Sequence, residues 1–138
     1  MPKLDSILET ALYVDDMDRA TAFYETVMQL PSLMKSDRLC AYDVNGASVL
    51  LLFIRHGTLE PVDTGRGIIP PHDGMGRLHM AFACSHEALP DWEDHLAAHG
   101  VAIEGRTGWK RGGTSVYFRD PDANLLELAT SPGLWPGF

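Results

Sequence analysis

The sequence predicts an α+β protein made by duplicating one β-α-β-β-β unit. Three observations carry that expectation. A strand-like alternation followed by a helix-like apolar spacing occurs twice, first from Ser6 and again from Arg77. Glu9 and His79 fall at corresponding places in the two first strands, about half the chain apart. Each half then closes on a hairpin with a strong turn signal, Asn45-Gly46 in the first and Asp120-Pro121-Asp122-Ala123-Asn124 in the second. The chain reads as a single domain over 1–138, with modules at approximately 5–56 and 77–131 joined by a loop at 57–76.

Taken in order, residues 6–14 alternate as a strand with Leu8, Leu12 and Val14 on one face and Glu9, Ala11 and Tyr13 on the other. Asp15 and Asp16 supply a helix N-cap. Met17, Ala20, Phe23, Tyr24 and Val27 follow at helical spacing toward an end near Gln29. A short strand is expected around Ser32–Lys35, then a hairpin of 38–45 and 47–55. Residues 57–76 lack periodicity and read as a long loop. The order then repeats. Residues 77–84 place Leu78, Met80, Phe82 and Cys84 on one face and His79, Ala81 and Ala83 on the other. Residues 86–99 form a helix with Leu89, Trp92 and Leu96 inward, Pro90 in its first turn and Gly100 as its stop. Strands are expected at 101–104, 114–119 and 124–130, with a Gly-rich loop at 105–113.

Composition narrows the function classes. Nineteen acidic against 11 basic side chains give a net charge of −8, which repels nucleic acid and anionic lipid. The most apolar run, Ala47 to Ile54, is too short to cross a bilayer. Cys40 and Cys84 are too few for a disulfide framework, so a reducing cytoplasm is the expected location. No Ser-His-Asp set, CxxC pair, phosphate-binding Gly loop or HExxH motif is present.

The chemistry is sought where ionisable residues occupy strand positions that ought to be apolar. Glu9 and His79 do so in equivalent strands, and Glu127 interrupts Leu125-Leu126-Glu127-Leu128-Ala129. A carboxylate buried in such a run needs a partner, a proton or a metal ion. Ala11, Ala81 and Ala83 leave room beside them for a cavity. Separately, each has a plainer reading: His79 as a hydrogen-bonded core residue, Glu127 paired with Arg119 or Arg106, and Glu9 facing solvent. Lys110, Arg111 and Arg119 are candidates for holding an acidic group of a substrate. Tyr117 is a candidate proton carrier. His56 and His72 lie in or beside the long loop, where a histidine near Pro70-Pro71 reads as solvated, with His72 as an alternative metal ligand.

Several runs are similar to one known group. Glu9-Thr10-Ala11-Leu12-Tyr13-Val14-Asp15-Asp16-Met17 with Ala22-Phe23-Tyr24 resembles the opening of the vicinal oxygen chelate superfamily, which includes glyoxalase I, bleomycin-resistance proteins, fosfomycin-resistance enzymes and extradiol dioxygenases. Gly76-Arg77-Leu78-His79-Met80-Ala81-Phe82 resembles the start of its second module. The run from Gly113 through Tyr117 and Asp120 to Leu128 resembles its last hairpin. The resemblance implies paired βαβββ modules curling as an incomplete barrel around a cavity. It implies that His79 and Glu127 ligate one divalent metal ion, with Glu9 where many members carry His or Gln. It also places Leu51 where glyoxalase I has a catalytic ligand Glu. A Glu-His-Glu set suits Fe, Mn, Ni, Zn or Mg.

The expected function is that of a glyoxalase-like metal-dependent enzyme. Its metal would serve as Lewis acid toward a small substrate with vicinal oxygens, in lyase or isomerase chemistry, with Glu127 or Tyr117 moving the proton. The alternatives are a metal-free ligand-binding protein of the bleomycin-resistance type, walled by Trp109, Tyr13 and Phe53, and a dioxygenase or fosfomycin-type epoxide-opening enzyme. The resemblance also implies a homodimer. The apolar tail Ser131–Phe138 is expected to pack on a neighbour or over the cavity.

Overall fold

The computed structural model describes residues 1–138, which divide into two compact units, Met1–Met75 and Gly76–Phe138. In the first unit, strand β1 (Glu9–Val14) leads into helix α1 (Met17–Ala22), which relaxes into a π-helical turn over Phe23–Val27. Asp16 caps the helix, its carboxylate accepting from the Arg19 N–H at 3.0 Å. Gln29 ends the segment in the left-handed region, at φ 56°. Strands β2 (Ser32–Lys35), β3 (Leu39–Val44) and β4 (Ser48–Ile54) complete a sheet of order β1-β4-β3-β2, with β1 parallel to β4. Asn45 and Gly46 both have positive φ, as the tight β3–β4 turn requires.

The first strand starts later than its periodicity suggests. Leu8 is 71% exposed, although its carbonyl still accepts from Val49 N–H at 2.9 Å. The core is the face of Leu12, Val14, Cys40, Tyr42, Leu50 and Leu52, all buried, with α1 packed on β4. The loop is not featureless: β5 (Val62–Asp63) and β6 (Ile68–Ile69) pair as a short antiparallel ladder.

Tyr42 is fully buried and donates to Glu25 Oε1 at 3.0 Å, while Lys35 Nζ lies 2.7 Å from the same oxygen. The Lys35 ammonium, with help from the Tyr42 hydroxyl, holds the Glu25 carboxyl below its ordinary range. Its contribution is therefore present above the unfolded pKa and lost as pH falls through the folded one. Tyr42→Phe is expected to destabilise the protein by about 1 kcal/mol at neutral pH. That difference should shrink once Glu25 is protonated, which urea unfolding at neutral and acidic pH measures.

The second unit repeats the order with β7 (His79–Cys84), α2 (Leu89–Ala98), β8 (Gly105–Gly108), β9 (Thr114–Arg119) and β10 (Leu125–Thr130). Its sheet runs β7-β10-β9-β8, with β7 parallel to β10. Helix α2 begins at Leu89 rather than at 86, with Pro90 in its first turn, and Gly100 follows its end at φ 70°. The larger correction concerns the third strand. Residues 101–104 are not a strand, and Gly105–Gly108, expected in a loop, is. Its partner decides this: Gly105 lies opposite Tyr117 and Gly108 opposite Thr114, and cross-strand pairing outweighs the weak strand propensity of glycine. Val116, Phe118, Leu126 and Leu128 form the core with Leu89 and Leu96 of α2.

The C-terminal tail leaves Trp135 and Phe138 exposed, while its backbone is pinned where Gly113 N–H donates to Gly133 O at 3.1 Å. A Cβ on either glycine would collide with the other's backbone. No helix is long and apolar enough to cross a membrane.

Candidate metal centre

The strand alternation of β7 puts His79, Ala81 and Ala83 on the face away from the core. Parallel pairing sets His79 opposite Leu125 and Ala81 opposite Glu127, so the two ionisable side chains sit one diagonal step apart. His79 Nδ1 lies 2.8 Å from the Leu125 carbonyl oxygen. A carbonyl only accepts, so Nδ1 carries a proton, and in the neutral ring Nε2 presents its lone pair. That lone pair stands 3.1 Å from Glu127 Oε2.

The other carboxylate oxygen is held from behind. The Trp109 indole N–H donates to Ser115 Oγ at 2.8 Å. The Ser115 hydroxyl is thereby turned to donate to Glu127 Oε1 at 2.5 Å. Glu127 is 5% exposed, whereas the His79 side chain is half exposed.

Two acceptors face each other, each oriented through its second polar atom. This arrangement calls for a proton or a cation between Nε2 and Oε2. Outer hydrogen bonds of this kind orient metal-ligating side chains. A separation of 3.1 Å is also what two ligands about 2.1 Å from one cation span. The residues present fit a divalent ion. Within each unit taken by itself, no group of three His, Cys, Asp or Glu side chains converges on one cation position.

Residues 6–128 match the family model described as the Glyoxalase/Bleomycin resistance protein/Dioxygenase superfamily. The chain belongs to that superfamily. Among curated proteins similar to this chain, the metallothiol transferase FosB of Bacillus licheniformis is 35% identical over 118 residues, covering 85% of this chain and 70% of that protein. FosB of Staphylococcus saprophyticus is 31% identical over 92% of this chain and 78% of its own length. Among solved structures, the lactoylglutathione lyase from Agrobacterium tumefaciens superposes with a TM-score of 0.88 at 32% identity, covering 99% of this chain and all of that one.

As a glyoxalase-superfamily chain, the protein repeats its strand order, so the units can be compared position by position. Glu9 opens β1 as His79 opens β7. Ala11 pairs with Leu51 as Ala81 pairs with Glu127, so the first unit has leucine where the second has its carboxylate. Glu9 is exposed and lines a cavity of the first unit.

Tyr117 lies opposite Glu127 across β9–β10, its ring centroid 6.4 Å from that of His79. Lys110 and Arg111 are exposed in the turn between β8 and β9. Arg119 is engaged elsewhere, with Nε 2.7 Å from Glu104 Oε2 and Nη1 donating to the Ala123 carbonyl. Arg106 pairs with Glu93. The arginine pairing considered for Glu127 is therefore replaced by His79 and Ser115.

Sequence reasoning passed over Ser115 as a support. Its one signal is the two-residue spacing to Tyr117, which puts both on one face of β9. Ser115→Ala is expected to weaken divalent-cation binding by about tenfold, the lower end for loss of an outer-shell partner. Cation titration of chelator-stripped protein checks this.

Proposed function

We propose that this protein is a metal-dependent enzyme that transfers a thiol to an electrophilic carbon of a small oxygenated molecule such as an epoxide. The single observation that carries the reading is the opposed pair of acceptors, His79 Nε2 and Glu127 Oε2, each fixed from behind. The thiol form of the reaction is supported by the FosB relatives, named as metallothiol transferases.

His79 and Glu127 hold the ion in this reading. When bound, the divalent ion supplies Lewis acidity toward the oxygen that receives the electron pair. The thiolate sulfur forms a bond to carbon, the carbon–oxygen bond breaks, and that oxygen takes up a proton. Tyr117 is the hydroxyl assigned to position that oxygen. Lys110 and Arg111 are assigned to an acidic group of the substrate. Arg119 supports the last turn through Glu104 and Ala123 rather than meeting substrate. The same reading carries a homodimer in the cytoplasm, with both cysteines free.

A second reading, isomerase or lyase chemistry on vicinal oxygens, is favoured by the likeness to the Agrobacterium lactoylglutathione lyase structure. Leu51 weighs against it, because it removes a carboxylate from the site's expected mate in the first unit.

The experiment begins with metal analysis of protein purified without nickel resin. Thiol consumption is then followed with an epoxide, and isomerisation with a hemithioacetal, with and without added Mn, Mg or Zn. Metal-dependent thiol addition supports the proposal, and hemithioacetal turnover alone replaces it with the second reading. Protein that neither retains nor responds to metal, and is unchanged by Glu127→Ala, would leave the metal-free binding protein as the surviving reading.

A further inference from the structure

Helix α2 carries a pair of imidazoles that the metal centre does not use. Leu89 and Leu96 turn one side of the helix into the core, while Asp91, Asp94 and His99 are exposed. His95 and His99 are four residues apart, about one helical turn, so their side chains rise from the same face. Their rings are already neighbours, with centroids 4.3 Å apart and planes at 47°. Two histidines at this spacing on a helix can present nitrogens to one metal ion, as they do in helical zinc-binding motifs.

Both rings are oriented by the fold itself. His99 Nδ1 lies 2.9 Å from the His95 carbonyl oxygen and donates to it, so in the neutral ring Nε2 presents a lone pair. A backbone carbonyl in that role is a usual outer partner of a metal-ligating histidine. The His99 backbone is pinned as well. Its N–H reaches the His95 and Leu96 carbonyls, and Val101 N–H donates to Leu96 O at 2.9 Å. His95 meets the Trp92 ring edge-on, with centroids 5.5 Å apart and planes perpendicular.

Charge favours a cation at the same place. The pair stands at the C-terminal end of α2, where the helix dipole is negative. The helix contains Asp91, Glu93 and Asp94 and neither Lys nor Arg. It packs on the core side of the second unit's sheet, whereas His79 stands on the opposite face. No third His, Cys, Asp or Glu converges with the pair, which leaves the other coordination positions to water.

We propose that His95 and His99 form a second cation site, a two-imidazole chelate for a divalent transition-metal ion such as Cu, Ni or Zn. Imidazole nitrogen suits those ions, whereas Mg and Mn suit oxygen ligands. The site therefore differs from the carboxylate-bearing centre of His79 and Glu127 in ion preference as well as in place.

Calorimetric titration of the chelator-stripped full chain with Ni tests this. Two equivalents are expected, one of them lost in Glu127→Gln. The other should weaken by about tenfold or more in His99→Ala and in His95→Gln, at least the loss that removing an outer partner causes. His99 is exposed, so its variant keeps the fold, which circular dichroism checks. His86→Ala should leave both equivalents in place, because His86 Nε2 already donates to the Pro132 carbonyl at 2.7 Å. Cu bound at His95 should quench Trp92, so Trp92→Phe should remove part of the Cu-induced quenching. A Ni isotherm unchanged by His99→Ala or by His95→Gln overturns the proposal. So does loss of all Ni binding in Glu127→Gln alone, quenching by Cu unchanged in Trp92→Phe, or Mg binding that His99→Ala removes. A single Ni equivalent sensitive to His99→Ala and not to Glu127→Gln would uphold this site and count against the metal centre.

Discussion

Glu127→Ala is expected to lower divalent-cation affinity by about hundredfold or more and to abolish metal-dependent turnover. Loss of a supporting group beyond the ligands costs about ten- to hundredfold, and a ligand oxygen contributes at least the upper end. The alanine also ends the Trp109–Ser115 hydrogen-bond chain without its acceptor, which adds about 1–3 kcal/mol of instability. Glu127→Gln separates the two effects. Its amide oxygen can still accept from Ser115 while its NH₂ donates to His79 Nε2, so the fold is kept and the cation is not. Calorimetric titration of chelator-stripped protein with Mn or Zn, beside thermal unfolding of both variants, reads the difference. Wild-type cation affinity in Glu127→Gln would remove Glu127 from the metal centre.

The same residue shows what the sequence makes legible. A glutamate between Leu126 and Leu128, both essentially buried, has to be compensated, and that need is visible without coordinates. The partner's identity is partly visible, because strand alternation and a parallel β7–β10 pairing are enough to bring His79 alongside. Ser115 and Trp109 are less accessible to such reasoning. Trp109 reaches Ser115 only because the turn closes with Gly112 N–H on the Trp109 carbonyl and Trp109 N–H on the Gly113 carbonyl. That reversal leaves no periodic trace.

Strand β8 was hidden for a related reason. Two of its four residues are glycine, and its pairing is dictated by β9 rather than by its own side chains. Tyr13 of β1 and His72 of the long loop are 59 residues apart and meet only after the segment folds back over the sheet. An isolated His beside Pro70-Pro71 therefore reads as a solvated loop residue until the fold is known. Duplication, by contrast, is legible twice: as repeated periodicity in the sequence and as identical strand order in the two sheets.

Asp120→Ala is expected to cost about 3 kcal/mol, although Asp120 touches neither His79 nor Glu127. Its Oδ1 accepts from the backbone N–H groups of Asp122 and Asn124 at 3.0 and 2.9 Å, and its Oδ2 from the Asn124 amide at 2.9 Å. Asp120 and Asn124 are both buried, so the donors released by the substitution regain little from water. Asn124 passes the constraint onward, its Oδ1 accepting from Leu78 N–H at 3.0 Å, while Leu125 N–H donates to Leu78 O at 2.7 Å. These contacts set the start of β7 against the start of β10. That register in turn places the Leu125 carbonyl under His79 Nδ1. Loosening the turn should therefore lower cation affinity by about tenfold as well as stability, because the imidazole loses part of what orients it. Urea unfolding and cation titration on the same variant measure both. A variant within about 0.5 kcal/mol of wild type, with unchanged cation affinity, would show that the register is held by the strands alone. Asp120→Asn should fall between the two, since it keeps an acceptor for the backbone donors and sets its own amide against that of Asn124.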